Sequence, residues 1–358
     1  MDTYSIIIPS YTVGPQAYAE IPARCGIYGS RAVVIGGRKA MHAAREQILE
    51  SVRAGSIRIT DFVLYGSECT FEAAQDLEKL PAVREADMIF AVGGGKAVDT
   101  AKLVSIALEK PYFTFPTIAS NCAASSSLSI VYNTDGSFRD FVHFLDSARH
   151  VFIDTQIIAA APRQYLWAGI GDTYAKYYEV TVSARNEMLP HYQAMGVNLS
   201  RMCMETVLQH GRQAVAENDR QQAGEALRDC ALAIIITTGW VSMLVSRDHR
   251  MDYNGGAAHA MFYSLCSIPG FEENQIHGVV VSLGVLLLLL IDGQEEEYRK
   301  LAAFNKSVGL PVTLADVGIS LEQIDQVCEI MIEDEDLEHY PYRLTREMIM
   351  AAAERLQS

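Results

Sequence analysis

Short apolar runs rich in β-branched residues recur through the first half of the chain, over residues 4–8, 32–35, 57–65, 88–92, 112–115 and 151–153. Amphipathic stretches lie between them at 39–53, 70–80 and 96–108. Strand–helix alternation at this spacing predicts a parallel sheet covered by helices. One segment departs from the pattern. Residues 128–132 and 138–144 flank Asn133-Thr134-Asp135-Gly136 and read as a β-hairpin. Beyond Pro162 the strand signals fade, and long periodic segments follow at 164–184, 191–216, 224–246, 278–293 and 321–332. The pattern predicts an α/β domain over 1–160 and an all-helical domain over 161–358, each long enough for its own core.

The most apolar stretch, 279–291 (VVVSLGVLLLLLI), has 13 residues where a bilayer needs about 20, so it reads as a buried helix. Forty-four acidic against 29 basic residues give a formal charge of −15. Such a field repels phosphate backbones and anionic lipid, which excludes nucleic acid and membrane surfaces as natural partners. It leaves room for a nucleotide cofactor held by a few backbone amides. The seven cysteines are scattered with no CxxC pair, and no basic segment precedes an apolar run at the N-terminus. Reduced thiols in a cytoplasmic protein are expected.

Candidate chemistry begins where the run DMIFAV meets VGGGKAVDTAK. Gly93, Gly94 and Gly95 lie between a buried strand and a helix start. Without Cβ atoms they let backbone N–H groups approach a ligand closely, and a helix N-terminus behind them suits a diphosphate. The spacing is neither GxGxxG nor GxxxxGKS, and a plain strand–helix turn is the alternative. Three further residues are candidate metal ligands: Asp172 in GIGDTYAKYYE, His259 in YNGGAAHAMF and His277 in ENQIHGVVVSLG. Two imidazoles and a carboxylate with an open position suit Zn²⁺ or Fe²⁺ acting as a Lewis acid. By spacing alone, ordinary core or surface histidines would explain them as well.

The segment GGGKAVDTAK resembles the diphosphate-binding signature of the glycerol dehydrogenases, within the iron-containing alcohol dehydrogenase superfamily. The stretch PTIASNCAASSSLSIVY that follows resembles the part of that family wrapping the nicotinamide end of the cofactor. G-D, then A-H-A, then H-G eighteen residues on resembles the family's metal pattern. The resemblance spans nearly the whole chain. It implies a Rossmann-like α/β domain plus an all-α domain, the dehydroquinate synthase-like or glycerol dehydrogenase-like fold. It also implies a homo-oligomeric NAD(P)-dependent dehydrogenase with Asp172, His259 and His277 holding one divalent ion. The implied cofactor contacts are Gly37, Gly93, Gly94, Gly95, Lys96, Asp99, Thr117, Ser120, Ser126, Leu128 and Tyr132. An alkoxide forming during hydride transfer would be stabilised by the ion.

Departures from that family bear on cofactor and substrate. An acidic residue after the second strand, which would accept from a ribose 2′-hydroxyl, is absent, and Arg38 and Lys39 follow Gly36-Gly37 instead. This favours NADPH, since arginine offers a planar donor fork to a 2′-phosphate. Cys122 stands where the family usually has an aspartate beside the polyol, Phe262 where it often has another histidine, and HGVVV replaces H-G-E-K. Lys176 lies one helical turn after Asp172. The motifs TIAxxCAA, QYLxAGIGDTxAKxYE and EHYPYRLT (338–345) resemble the hydroxycarboxylate dehydrogenase branch, which implies reduction of 2-oxo acids with Cys122 and Lys176 at the substrate. Rival readings are a polyol dehydrogenase, a dehydroquinate synthase-like lyase and a non-catalytic nucleotide binder.

Overall fold

The computed structural model describes residues 4–53, 55–246, 252–271 and 275–357. The chain divides into two compact units. One comprises the residues up to Pro162 together with Ala216–Trp240, the other Arg163–Val215 and the residues from Val241 onward. A single cut near residue 160 does not describe the return of 216–240 to the first unit.

The first unit is built on a six-stranded sheet of β1 (Ser10–Gly14), β2 (Arg31–Gly36), β3 (Arg58–Leu64), β4 (Met88–Gly93), β5 (Tyr112–Pro116) and β8 (His150–Asp154). The order is β1-β8-β5-β4-β2-β3, and every pair is parallel. Strands covered on both faces read as unbroken apolar runs rather than alternating ones, which is why MIFAVG and YFTFP are buried along their whole length. A separate antiparallel hairpin pairs β6 (Leu128–Tyr132) with β7 (Phe138–His143), and the Gly136 N–H closes its turn on the Asn133 carbonyl at 3.0 Å.

One predicted strand is misplaced. Residues 4–9 form no strand, and Tyr4, Ile7 and Ile8 are exposed. The edge strand is β1, chosen by its partner rather than by its hydrophobicity. It pairs in register with β8, and the hydroxyls of Ser10 and Thr12 hold the buried His150 imidazole at 2.7 and 2.8 Å.

Six helices lie wholly within the first part of this unit: α1 (Ile21–Cys25), α2 (Arg38–Arg53), α3 (Phe71–Glu78), α4 (Pro81–Glu85), α5 (Gly95–Ala107) and α6 (Thr155–Ala160). On α2 the buried positions Met41, Ala44, Ile48 and Val52 recur at helical spacing. The helix expected over 70–80 starts on its cap, Thr70, and ends before Leu80, which Pro81 biases away from helical geometry.

The long helix α8 (His191–Asp219) runs from one unit into the other, and α9 (Glu225–Leu232) follows. The helix expected over 224–246 is interrupted by a π-helical turn, Ala233–Thr237, before α10 (Thr238–Val245). The Ile235 carbonyl in that turn accepts from Ser125 Oγ. By length and composition the run Glu225–Val245 could cross a bilayer, but 72% of its most apolar window is buried inside the protein.

In the second unit the regular elements among the described residues are all helical: α7 (Arg163–Ser183), most of α8, the latter part of α10, then α11 (Ala257–Leu265), α12 (His277–Ile291), α13 (Glu295–Val308), α14 (Leu321–Ile332) and α15 (Arg346–Arg355), with short 3₁₀ turns between them. Helix α12 is buried almost all round, as its sequence suggests. Helix α11 is also buried on nearly every side and so shows no amphipathic stripe by which its sequence could announce it.

Candidate functional site

Two glycines determine how α7 meets α12. A Cβ on Gly171 would lie 2.4 Å from the Gly278 carbonyl oxygen, and one on Gly278 would lie 2.1 Å from that of Ala168. The backbones touch where any larger residue would hold them apart. Gly284, further along α12, gives α11 the same access, since its Cβ would sit 2.7 Å from the Ala258 carbonyl. Asp172, His277 and His259 are each the residue beside one of these contacts, and they are thereby brought together.

The three ligand atoms all lie within 4.8 Å of one another. Asp172 Oδ1 is 3.5 Å from Nε2 of both His259 and His277, and the two imidazole centroids are 5.3 Å apart. Ligand atoms about 2.1 Å from a tetrahedral ion are separated by about 3.4 Å, so the set fits Zn²⁺ or Fe²⁺. Asp172 and His259 are buried, whereas 37% of the His277 side chain is exposed. A buried carboxylate and imidazole backed by a half-exposed imidazole leave an open side for an exchangeable ligand.

Glu179 completes the centre, and it was not among the residues expected there. Fully buried, it accepts from the His259 backbone N–H at 2.9 Å and lies 2.6 Å from His259 Nδ1. A proton on Nδ1 is thereby held by Glu179, which leaves the Nε2 lone pair for a metal. A signal existed: seven residues separate Asp172 from Glu179, two turns on one helix face. Burial pushes the Asp172 carboxyl up, but its hydrogen bonds with His259 and His277 more than reverse this and hold it below the usual range. Burial lowers His259, yet the Glu179 carboxylate and the bonds to Asp172 and Glu179 raise it to about 10.

Lys176 takes a different part from the one expected. Its ammonium is buried and donates to the carbonyl and amide oxygens of Asn254 at 2.5 and 2.8 Å. It is committed to the protein rather than turned toward a substrate. Phe262 packs edge-on against the His277 ring at 4.4 Å, so hydrocarbon stands beside the ligand where another imidazole was the family expectation.

The glycine loop lies in the first unit. From β2 the chain passes through α2 to β3 on one side, and from β4 through α5 to β5 on the other. The sheet order thus reverses between β2 and β4, and ligands of open α/β sheets bind at the carboxyl ends of such strands. Gly36-Gly37 end one strand and Gly93-Gly94-Gly95 the other. Gly93 has φ +149°, a Cβ on it would crowd Ala97, and Gly37 N lies 3.9 Å from that position. Gly94 caps α5 without a side-chain hydrogen bond, which leaves the first-turn amides for a ligand. Arg38 and Lys39 are exposed at the start of α2.

The other expected cofactor residues fall into two groups. Thr117 donates its backbone N–H to the Gly93 carbonyl at 3.3 Å and so belongs to the loop. Lys96 reaches Glu68 at 2.5 Å with its ammonium 4.9 Å from the Tyr132 ring centroid. Ser120 and Cys122 are partly buried in the segment after β5. Asp99, by contrast, is turned inward as an anchor. Its carboxylate accepts from Lys102 Nζ at 2.9 Å and from the Ile130 N–H at 3.3 Å. Burial raises its acid, partly offset by Lys102. The Lys102 ammonium, wholly buried, also reaches the Leu128 carbonyl at 2.6 Å and Ser126 Oγ at 3.4 Å. This pair ties α5 to β6 and to the segment before it.

Comparison with known proteins agrees with this fold. The iron-containing alcohol dehydrogenase family matches residues 9–155. The chain is 32% identical over 336 residues to hydroxycarboxylate dehydrogenase A of Escherichia coli, covering 92% of this chain and 90% of that one. It is 30% identical over 342 residues to a glycerol dehydrogenase of Thermotoga maritima, covering 92% and 89%. The crystal structure of glycerol dehydrogenase from Schizosaccharomyces pombe superposes with a TM-score of 0.86 at 25% identity, covering 99% of this chain and 91% of that one. The chain belongs to the iron-containing alcohol dehydrogenase family. It is an oxidoreductase acting on CH–OH groups, of a family that uses NAD(H) and a metal ion.

Proposed function

We propose that the protein interconverts a small 2-oxo acid and the corresponding 2-hydroxy acid, with NADPH as the favoured reductant and one divalent ion held by Asp172, His259 and His277. The observation that carries the metal reading is the convergence of those three ligand atoms within 4.8 Å. Bound there, Zn²⁺ or Fe²⁺ would act as a Lewis acid toward the substrate oxygen, whose negative charge grows as hydride arrives. The hydride chemistry is the nicotinamide's own. What the chain supplies is the Gly93–Gly95 amides for the diphosphate and a metal ligand set oriented by Glu179.

Two features favour an anionic substrate and a phosphorylated cofactor. Cys122 puts no negative charge in the loop after β5, so a substrate carboxylate meets no repulsion from that position. Arg38 and Lys39 follow Gly37 with no acid among residues 36–40 to compete for a ribose hydroxyl. The identity shared with hydroxycarboxylate dehydrogenase A supports the same reading. Likeness to glycerol dehydrogenases keeps polyol oxidation as the second reading.

Steady-state rates on 2-oxo acids, neutral ketones and glycerol, each with both cofactors, test the proposal. A kcat/KM for a four-carbon 2-oxo acid with NADPH at least about tenfold above that of any neutral ketone is expected. A preference for glycerol and NAD would replace this reading with the polyol one.

A further inference from the structure

Residues 252–256 lead directly into α11 and so to His259. Apart from one 3₁₀ turn, Asp252–Asn254, they have no regular structure of their own. Asp252 and Tyr253 are both held by His339, and the next three residues all meet α7. Asp252 sits in the left-handed region at φ +50°; its Oδ1 is 2.7 Å from His339 Nε2 and its Oδ2 accepts from Gln193. The Tyr253 ring stacks on the His339 imidazole with centroids 4.1 Å apart. Asn254 takes the Lys176 ammonium. The Gly255 carbonyl accepts from Ser183 Oγ at 3.3 Å, and a Cβ there would lie 2.1 Å from the Asp336 carboxyl carbon. A Cβ on Gly256 would lie 3.0 Å from the Glu179 side chain.

We propose that 252–256 form a strap that sets where His259 presents its Nε2, and that His339, within the 338–345 motif, is a positioning residue for the metal centre. The reasoning is directional. Apolar packing alone would let such a strap slide, whereas a charged hydrogen bond and a ring stack from one side chain fix two neighbouring residues at once. An aspartate kept in the left-handed region needs its surroundings to hold it there. A group bonded to the other nitrogen of such an imidazole, as Glu179 is here, commonly alters metal affinity by about 10–100-fold when removed, and the strap acts one step further back.

The inference rests on the metal reading of the site. Its test is the Zn²⁺ dissociation constant of the full-length protein, measured by chelator competition, for the wild type, H339A, H339Q and D252N. The melting temperature of the metal-free forms is recorded alongside. H339A should bind Zn²⁺ several-fold more weakly, short of the loss expected for Glu179→Gln, while H339Q, which keeps a donor toward Asp252 but not the ring on Tyr253, should fall between H339A and the wild type. Wild-type affinity in H339A, or an equal loss in H339A and H339Q, would overturn the proposal. A purely structural role would lower the melting temperature and leave the affinity in place. Should H339A fail to fold, D252N decides: weakened binding supports the strap, and unchanged binding sinks it. Failure of the wild type to bind Zn²⁺ or Fe²⁺ would instead end the metal reading itself.

Discussion

Gly171 and Gly278 are packed so closely that a side chain on either would run into the other helix's backbone. That contact is what makes neighbours in space of Asp172 and His277, which are 105 positions apart in the chain. Each of the three proposed metal ligands thus sits beside a helix–helix contact, which couples packing to the proposed chemistry.

Gly278→Ala tests the coupling. Its methyl would meet the Ala168 carbonyl at 2.1 Å, a backbone atom that cannot swing away. Overpacking of this kind costs about 1–3 kcal/mol or more. A lower melting temperature together with reduced metal content is expected, and a variant of unchanged stability and metal content would show that the helices have slack.

Chelation should abolish turnover, and Zn²⁺ or Fe²⁺ should restore it. Asp172→Asn and His277→Ala should each lower kcat/KM by about 10³-fold, the order expected when charge stabilisation at a developing alkoxide is lost. Glu179→Gln should act chiefly on the metal dissociation constant, weakening it about 10–100-fold. Full activity after exhaustive chelation would contradict all three expectations.

Arg38→Ala should raise KM for NADPH about tenfold and leave that for NADH nearly unchanged, because the contact proposed for Arg38 is to the 2′-phosphate alone. Equal effects on both cofactors would place Arg38 elsewhere.

Cys122→Asp returns a carboxylate to the loop after β5. A fall of about tenfold or more in kcat/KM for 2-oxo acids is expected, with a smaller effect on neutral ketones. Comparable losses on both substrates would show that Cys122 does not bear on substrate charge.

Asp336 offers a stability test. Burial raises its acid to about 7, the neighbouring Asp334 and Glu179 adding to this against His259 and Lys176. An acid whose folded pKa lies above its unfolded value of about 4 contributes stability at low pH that is lost as pH rises through the folded value. In the metal-free protein, wild-type stability relative to Asp336→Asn should therefore decline between about pH 4 and 7 and level off above that. Denaturant midpoints of both proteins across that range provide the measurement, and parallel curves would show that Asp336 does not titrate there.

Much of the architecture is legible in the amino-acid order because its physics is local. Strands buried on both faces must be apolar throughout, as 88–92 and 112–115 are, and a hairpin turn needs a residue such as Gly136 (φ +90°) at its end. A run of three glycines before a helix likewise marks where backbone amides are left open to an anion. Asp172, His259 and His277 stand out only through the resemblance of G-D, A-H-A and H-G to a family's metal pattern, since their spacing alone does not single them out.

Tertiary structure decided what depends on a distant partner. The edge strand settled on 10–14 rather than 4–8 because β8 offered backbone pairing there and His150 an imidazole to the Ser10 and Thr12 hydroxyls, and hydropathy does not report on pairing. The direction of Lys176 was set by Asn254, 78 residues away, since a long flexible ammonium goes to whatever buried acceptor the fold presents. Asp99 turned inward as well, where its carboxylate meets the Ile130 N–H, 31 residues on, beside its own helix neighbour Lys102. The amino-acid order thus named the groups able to do chemistry, while packing determined which of them point at one another, because a side chain's reach is short and its neighbours are chosen by the whole fold.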